Sequence, residues 1–289
     1  MTKQKIMEAG NGLFGLLPGT ILIVAGTASS ALAQYYATGF ESGEAGQGGA
    51  FTQADLHGQG TPAWISGRYG GGCCQTEGSG TVEDTSTLPG ALVDGTQSLH
   101  QFSNGTTVGQ ANRIDSGGGV PEWLEFLFRV ENAITQPFNR RSTFGIITGN
   151  GMLGEGPISE LLQFQGVDNK IEASGTDVGN FVEGQWHALS IQMEKDGGTG
   201  LYTKNYTVSI DGVASPNTAT YSNSEGNIGG FWFAARIDEN SPGNDWYIDG
   251  ITMGDTQQYT GPPATVPEPG SLLLLAMGGM LALFSRRCR

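Results

Sequence analysis

The sequence predicts an all-β body, built as a two-sheet antiparallel jelly-roll sandwich. Three observations support this prediction. Glycine accounts for 48 of 289 residues, yet aromatic residues occur throughout the chain, which is typical of short strands joined by tight turns. Residues 122–130 alternate, with Leu124, Phe126 and Phe128 on one face. No helix of three turns is predicted outside the two ends of the chain.

The first 33 residues have the order of a secretory signal peptide. Lys3 and Lys5 precede an apolar stretch at residues 13–25, and Ala31-Leu32-Ala33 supplies the small residues of a cleavage site. Pro18 inside the stretch disfavours a permanent transmembrane helix. We therefore expect export, with the mature chain starting at Gln34.

The last 24 residues predict a second targeting signal. Val266, Pro267, Glu268 and Pro269 precede a thirteen-residue apolar run at 272–284, and Arg286, Arg287 and Arg289 follow it. The prolines stiffen the first part, and the arginines act as a membrane stop on the cytoplasmic side. The alternative is a buried core helix, because runs of about 10–14 apolar residues often have that role.

This order resembles the PEP-CTERM sorting signal of Gram-negative bacteria that make exopolysaccharide. The resemblance implies an exosortase-type membrane protease as a partner, which recognises the motif, removes the tail and releases the protein. Membrane contact would then be transient, through the short C-terminal transmembrane helix. We expect the protein at the cell surface or in the extracellular matrix.

The body between the signals, residues 34–253, contains a regular series of predicted strands. Residues 254–265, with Gly261-Pro262-Pro263, are predicted to form a linker to the sorting signal at 266–289. The predicted strands with the strongest patterns are 122–130, 142–148, 161–165, 185–194, 206–210, 231–238 and 246–252.

Part of this series resembles concanavalin A-like lectin/glucanase domains, including the laminin-G-like ones. The residues concerned are Trp186-His187 with the Asp211-Gly212 turn that ends the partner strand, the closing stretch 246–251, and the opening Phe40-Glu41-Ser42. The resemblance implies the sandwich fold, and it suggests extracellular polysaccharide as a partner.

The charge of the body excludes one class of partner. Between residues 34 and 266 there are 9 basic and 26 acidic residues, a net charge of 9 − 26 = −17. Such a domain does not bind a phosphate backbone, so nucleic acid is excluded. Anionic surfaces would also repel it unless divalent cations form bridges.

Enzymatic activity is not expected. Some relatives of this fold hydrolyse β-glucans with alternate acids on one strand, but Glu122 and Glu125 point to opposite faces. Asp245 and Asp249 share a face, about 13 Å apart along a strand, which is too far for an acid pair. A pair formed from different strands remains an alternative.

Carbohydrate binding is the predicted activity. Aromatic rings stack on sugar rings, and neighbouring amides, carboxylates and guanidinium groups bond the hydroxyls. Residues opposite the apolar rows of their strands are the candidates: Trp123, Arg129, Gln163, Gln165, Trp232, Arg236 and Asp238. The alternatives are that these are ordinary outer-face residues, or that loops cover the two tryptophans. His187 shares a face with Leu189 and Ile191 and is predicted to be a core histidine.

Calcium is the predicted cofactor, because an acidic exported domain offers many oxygen ligands. Asp211, Asp245 and Asp249 are the candidate ligands. We expect an exopolysaccharide- or biofilm-matrix protein that binds carbohydrate without cleaving it. The alternatives are a structural or adhesive matrix protein without a defined sugar site, and a glycoside-active enzyme.

Overall fold

The body of the protein is a sandwich of two antiparallel β-sheets. The structure, a computed structural model, describes residues 34–42, 52–53, 59, 64–68, 80–86, 88, 95–101, 109–114, 121–131, 141–148, 158–165, 168–221, 228–235 and 246–263. The strands are β1 (Gln34–Thr38), β2 (Ile65–Arg68), β3 (Gly80–Asp84), β4 (Gln97–Gln101), β5 (Gly109–Ile114), β6 (Trp123–Val130), β7 (Arg141–Thr148), β8 (Ile158–Gln165), β9 (Lys170–Ala173), β10 (Thr176–Asn180), β11 (Trp186–Lys195), β12 (Tyr202–Ile210), β13 (Val213–Thr220), β14 (Ile228–Ala235) and β15 (Trp246–Gly254).

Eight strands form the first sheet and seven form the second. The first sheet has the order β13-β12-β11-β6-β15-β4-β3, with β1 beside β15, and the second has the order β10-β9-β8-β7-β14-β5-β2. All pairs of neighbouring strands are antiparallel. The all-β sandwich predicted from the alternation is therefore confirmed.

Aromatic rings from the two sheets meet in the core. Phe126 on β6 lies 4.8 Å from Phe144 on β7 and 5.1 Å from Phe233 on β14, measured between ring centroids. Phe128 contacts Phe164 on β8 at 5.0 Å. These residues occupy the inward positions of alternating strands, where burial removes the largest apolar area from water.

One hydrogen bond crosses the core between the sheets. The Tyr206 hydroxyl on β12 donates to the Leu161 carbonyl on β8 at 2.6 Å. Leu161 lies where the β7–β8 register shifts, between the pairs Phe144↔Leu162 and Gly145↔Glu160. The buried hydroxyl thus has a backbone acceptor at an irregular point of the partner sheet.

The C-terminal part of the body differs from the prediction. Residues 255–263, predicted as a linker, pack against the outer face of the first sheet. The backbone amides of Gln258 and Tyr259 donate to the Glu125 carboxylate at 2.7 and 3.0 Å. The prediction of a separate linker beginning at residue 254 is wrong for this stretch, because a buried acid on β6 binds its backbone.

Candidate functional site

Trp123 is the most accessible tryptophan of the chain. The structure describes all five tryptophans; Trp123 is half-buried, whereas the other four are buried, with exposed fractions of 1% for Trp64, 6% for Trp186, 4% for Trp232 and 0% for Trp246. Trp123 begins β6 and pairs with Gln192 on β11. The outward position predicted from the alternation therefore gives one ring that a ligand can reach.

A trough lies beside Trp123 on the outer face of the first sheet. Its volume is about 530 Å³. The alternation of β11 and β12 buries Met193 and Tyr206 at its floor and sends polar side chains outward. The polar residues that line it are Glu122, Gln192, Glu194, Lys195, Asn205, Thr207 and Thr218.

Hydrogen bonds fix the carboxylates of the trough. Gln192 Nε2 donates to Glu122 Oε1 at 2.8 Å. The Thr203 hydroxyl and the Asn205 amide both donate to Glu194 Oε2 at 2.6 Å. These bonds, that from Thr203 first, lower the pKa of Glu194, so this side chain is ionised at neutral pH. The trough thus offers oriented acceptors for hydroxyl groups.

The polar residues of the trough were not predicted from the sequence. Gln192 and Glu194 lie opposite the apolar row of a correctly predicted strand, and Asn205 and Thr207 do so on the next strand. The signal was therefore present in the alternation. The alternation does not show, however, that β11 lies between β6 and β12, and this order brings the trough residues together.

Arg129, the second candidate on β6, is not available to a ligand. It is 3% exposed, and its guanidinium pairs with Glu131. Trp186 on β11 and Tyr247 on β15 are its neighbours in register. The prediction of an open outer-face position is corrected, because the strands on both sides place aromatic residues against it.

The candidates on the second sheet share one face. Gln163 and Gln165 on β8 are half-buried. Gln163 is in register with Thr143 on β7 and Glu172 on β9, and Glu172 is in register with Asp177 on β10. These four residues form a polar row that spans about 14 Å across the sheet.

Trp232 lies on this face but is buried. Its partner in register is Gly145, and a Cβ atom there would lie 2.4 Å from the indole Nε1. Glycine therefore leaves room for the ring to lie flat against β7. The expectation that Trp232 offers an open stacking surface is corrected, since only 4% of the residue is exposed. Arg236 and Asp238 lie outside the described residues.

Two of the three proposed calcium ligands lie in the described part of the chain, and both are hydrogen-bonded within the protein. The two carboxylate oxygens of Asp211 accept from the Ala188 amide at 2.8 Å and bond His187 Nδ1 at 2.7 Å. Asp249 is buried and bonds the Gly250 amide at 2.7 Å. Calcium binding at Asp211 and Asp249 stays a prediction. In the described part of the chain, no three metal-binding side chains cluster, and Asp245 lies outside it.

His187 is a core histidine, as predicted. It is 6% exposed, and its Nε2 accepts a hydrogen bond from the Val182 amide at 2.9 Å. Nδ1 is therefore the protonated nitrogen and donates to Asp211. Both ring nitrogens thus have partners within the body. The absence of enzymatic activity stays a prediction.

A comparison of the sequence with protein families decides the nature of the C terminus. The PEP-CTERM protein-sorting motif matches residues 265–289. The chain carries a PEP-CTERM sorting signal. Val266, Pro267, Glu268, Pro269 and the three terminal arginines lie within this match, and all of them lie outside the described residues.

The PEP-CTERM motif indicates secretion with exosortase processing and a transient membrane anchor. Among the described residues, no helix is long and apolar enough to cross a membrane. The predicted short span at 272–284 and the signal peptide at 1–33 lie outside that part of the chain. No curated protein matches this chain in sequence.

Solved structures similar to this chain include two that align with most of its length. Cellulose induced protein Cip1 aligns with a TM-score of 0.50 and 13% identity over 78% of this chain and 100% of its own. A carbohydrate esterase from the Shiga toxin-encoding bacteriophage phi24B aligns with a TM-score of 0.46 and 13% identity over 78% and 100%. At this identity, the likeness to Cip1 supports the fold alone.

Proposed function

We propose that the protein is an exported component of the exopolysaccharide or biofilm matrix that binds carbohydrate without cleaving it. Its site is the trough beside Trp123. The observation that carries this proposal is the position of the one accessible tryptophan next to a polar concave surface. The sorting signal supports a location where extracellular polysaccharide is the abundant ligand.

The geometry of the trough suits a sugar. A pyranose presents an apolar face, which packs on an indole ring, and a rim of hydroxyls, which need donors and acceptors. Gln192 lies directly beside Trp123, so one sugar ring can stack on the indole and also bond Gln192 through its hydroxyls. Because Asn205 and Thr203 already orient Glu194, its carboxylate needs little ordering on binding.

The charge of the body selects among polysaccharides. With 9 basic and 26 acidic residues, it favours neutral or basic glycans over anionic ones. We infer that calcium, if it takes part, bridges the protein to anionic polysaccharide and does not occupy a site at Asp211. Addition of a chelator tests this separately from binding to neutral glycans.

The direct test is glycan binding by the exported protein, in calcium and in chelator, with the Trp123→Ala variant beside it. We expect neutral polysaccharide to bind, and loss of the ring to weaken binding at least tenfold, because that corresponds to about 1.4 kcal/mol and buried aromatic anchors contribute that much or more. If no glycan binds under either condition, the protein is a structural or adhesive matrix component instead.

Two matched variants locate the site. Gln192→Ala lies in the trough, and Gln163→Ala lies in the polar row of the second sheet; both glutamines are half-buried strand residues. We expect the first variant to weaken binding and the second to leave it unchanged. The reverse result places the site on the second sheet. Release of reducing ends from the polysaccharide would show a glycoside-active enzyme.

A further inference from the structure

Residues 255–263, which we call the strap, cross the outer face of the first sheet. The strap leaves the end of β15, and its first residue, Asp255, pairs with Lys195 on β11 at 3.0 Å. Its later part reaches the β12–β13 turn, where the Thr260 carbonyl lies against Gly212. The strap therefore spans β6, β11 and the end of β12, and it is the last part of the body before the sorting signal.

Glu125 anchors the strap. This carboxylate is 1% exposed, although it lies on the outward face of β6. Its oxygens accept from the Gln258 amide at 2.7 Å, the Tyr259 amide at 3.0 Å and the Ser190 hydroxyl at 2.7 Å. The Thr252 hydroxyl on β15 is a fourth donor, at 3.4 Å. Two of these four donors belong to the strap, so undocking removes them from the carboxylate.

The surface under the strap is shaped to receive it. Tyr259 packs against a small apolar cluster of Leu127, Trp186 and Ala188. A Cβ atom on Gly250 would lie 2.3 Å from the Tyr259 hydroxyl, and one on Gly212 would lie 2.2 Å from the Thr260 carbonyl. Both glycines have positive φ, and both also leave the space that the strap occupies.

The docked strap limits the reach of the sorting motif. Pro263 is four residues from Pro267, so a fully extended chain places the motif within about 14 Å of the docked surface. Without docking, the tether begins at Gly254, thirteen residues from Pro267, and reaches about 45 Å. Undocking thus makes the reach of the chain between the folded body and the sorting motif about three times longer, which gives a membrane protease more room to bind the motif.

We propose that the strap is a latch on processing: while it is docked, it restrains the sorting motif, and the exosortase-type protease acts on the undocked state. Glu125 is then a positioning residue for this reaction, although it lies 142 positions before Pro267. The processing rate follows the undocked fraction, which the Glu125 carboxylate keeps small. This inference rests on the sorting signal and does not require carbohydrate binding, although Lys195, the partner of Asp255, also lines the trough.

The test follows conversion of the full-length precursor to the processed form in cells that contain the protease, by pulse-chase. Glu125→Gln replaces one acceptor oxygen by an amide that cannot accept from the strap. A hydrogen bond to a charged group is worth about 1.4 kcal/mol or more, so we expect the undocked fraction, and processing, to rise about tenfold. Glu172→Gln, the same substitution at a half-buried glutamate on the second sheet, is the control and leaves the rate unchanged.

A second variant leaves the body untouched. Six Gly/Ser residues inserted after Pro263 add about 20 Å of tether, so we expect faster processing even with Glu125 in place. Combined with this insertion, Glu125→Gln should add little further acceleration. If the insertion and Glu125→Gln each leave processing unchanged or slow it, the latch is overturned. Amide exchange at Tyr259 reports undocking directly and must rise in Glu125→Gln.

Discussion

Two buried tyrosines provide a controlled test of the packing between the sheets. Tyr206 is 0% exposed and its hydroxyl donates to Leu161; Tyr221 is 4% exposed, and within the described structure its hydroxyl has no partner. Removing the first hydroxyl withdraws a donor from a buried carbonyl, which costs about 1–3 kcal/mol. Removing the Tyr221 hydroxyl leaves no other buried group without a hydrogen-bond partner. Tyr206→Phe should therefore destabilise the protein at neutral pH, whereas Tyr221→Phe should leave its stability unchanged or raise it.

The burial of the same two tyrosines predicts that the protein loses folding stability at alkaline pH. Burial raises the pKa of both Tyr206 and Tyr221 to about 12, against about 10 for an unfolded tyrosine. The unfolded chain therefore ionises first. The contribution of each neutral tyrosine to folding stability is complete below pH 10. As the pH rises towards 12, ionisation of the unfolded chain lowers the free energy of unfolding by about 3 kcal/mol for each residue.

Urea unfolding followed by circular dichroism at pH 8 and pH 11.5 measures both effects. We expect each single Phe variant to remove roughly half of the alkaline loss contributed by the pair, and the double variant to remove nearly all of it. Equal destabilisation by the two single variants at pH 8 would refute the assignment of the bond between the sheets. An unchanged alkaline loss in the double variant would refute the assignment to these tyrosines.

Three further predictions concern the core, the turn and the tail. Phe126→Ala should reduce the free energy of unfolding by about 3–5 kcal/mol in urea titrations, because this ring touches aromatic residues of the opposite sheet. Asp211→Ala should lower thermal stability by removing the acceptor of His187, with the same loss in calcium and in chelator; a loss confined to calcium would contradict the bonding seen here. Pro267→Ala with Pro269→Ala should leave the uncleaved precursor in the membrane fraction, and normal release would contradict recognition of this motif.

The alternation of the sequence predicted the interior strands well and the edge strands poorly. The prediction of a strand at residues 122–130 was correct because Leu124, Phe126 and Phe128 face the core. β13 was missed because it lies at the edge of the first sheet, is largely exposed and contains Pro216, so it has almost no apolar pattern. Its pairing depends on β12, a relation that no local pattern contains.

The site residues were predicted in part, for reasons of tertiary packing. Alternation correctly placed Trp123 and Trp232 on outer faces, but it cannot show that Gly145 lets the second ring lie flat. The strap was also beyond sequence reasoning, because Glu125 and Tyr259 are 134 positions apart. A Gly/Pro-rich stretch is typical of a linker, and its sequence does not show that a distant carboxylate binds its backbone.

Mapping of tryptophan oxidation by mass spectrometry tests whether Trp123 is the residue that carbohydrate covers. The exported protein is treated with a tryptophan-selective oxidant, with and without saturating polysaccharide. We expect Trp123 to react first and the other four tryptophans to react slowly because they are buried, and we expect polysaccharide to protect Trp123 alone. Equal oxidation of Trp123 with and without bound polysaccharide would contradict this expectation.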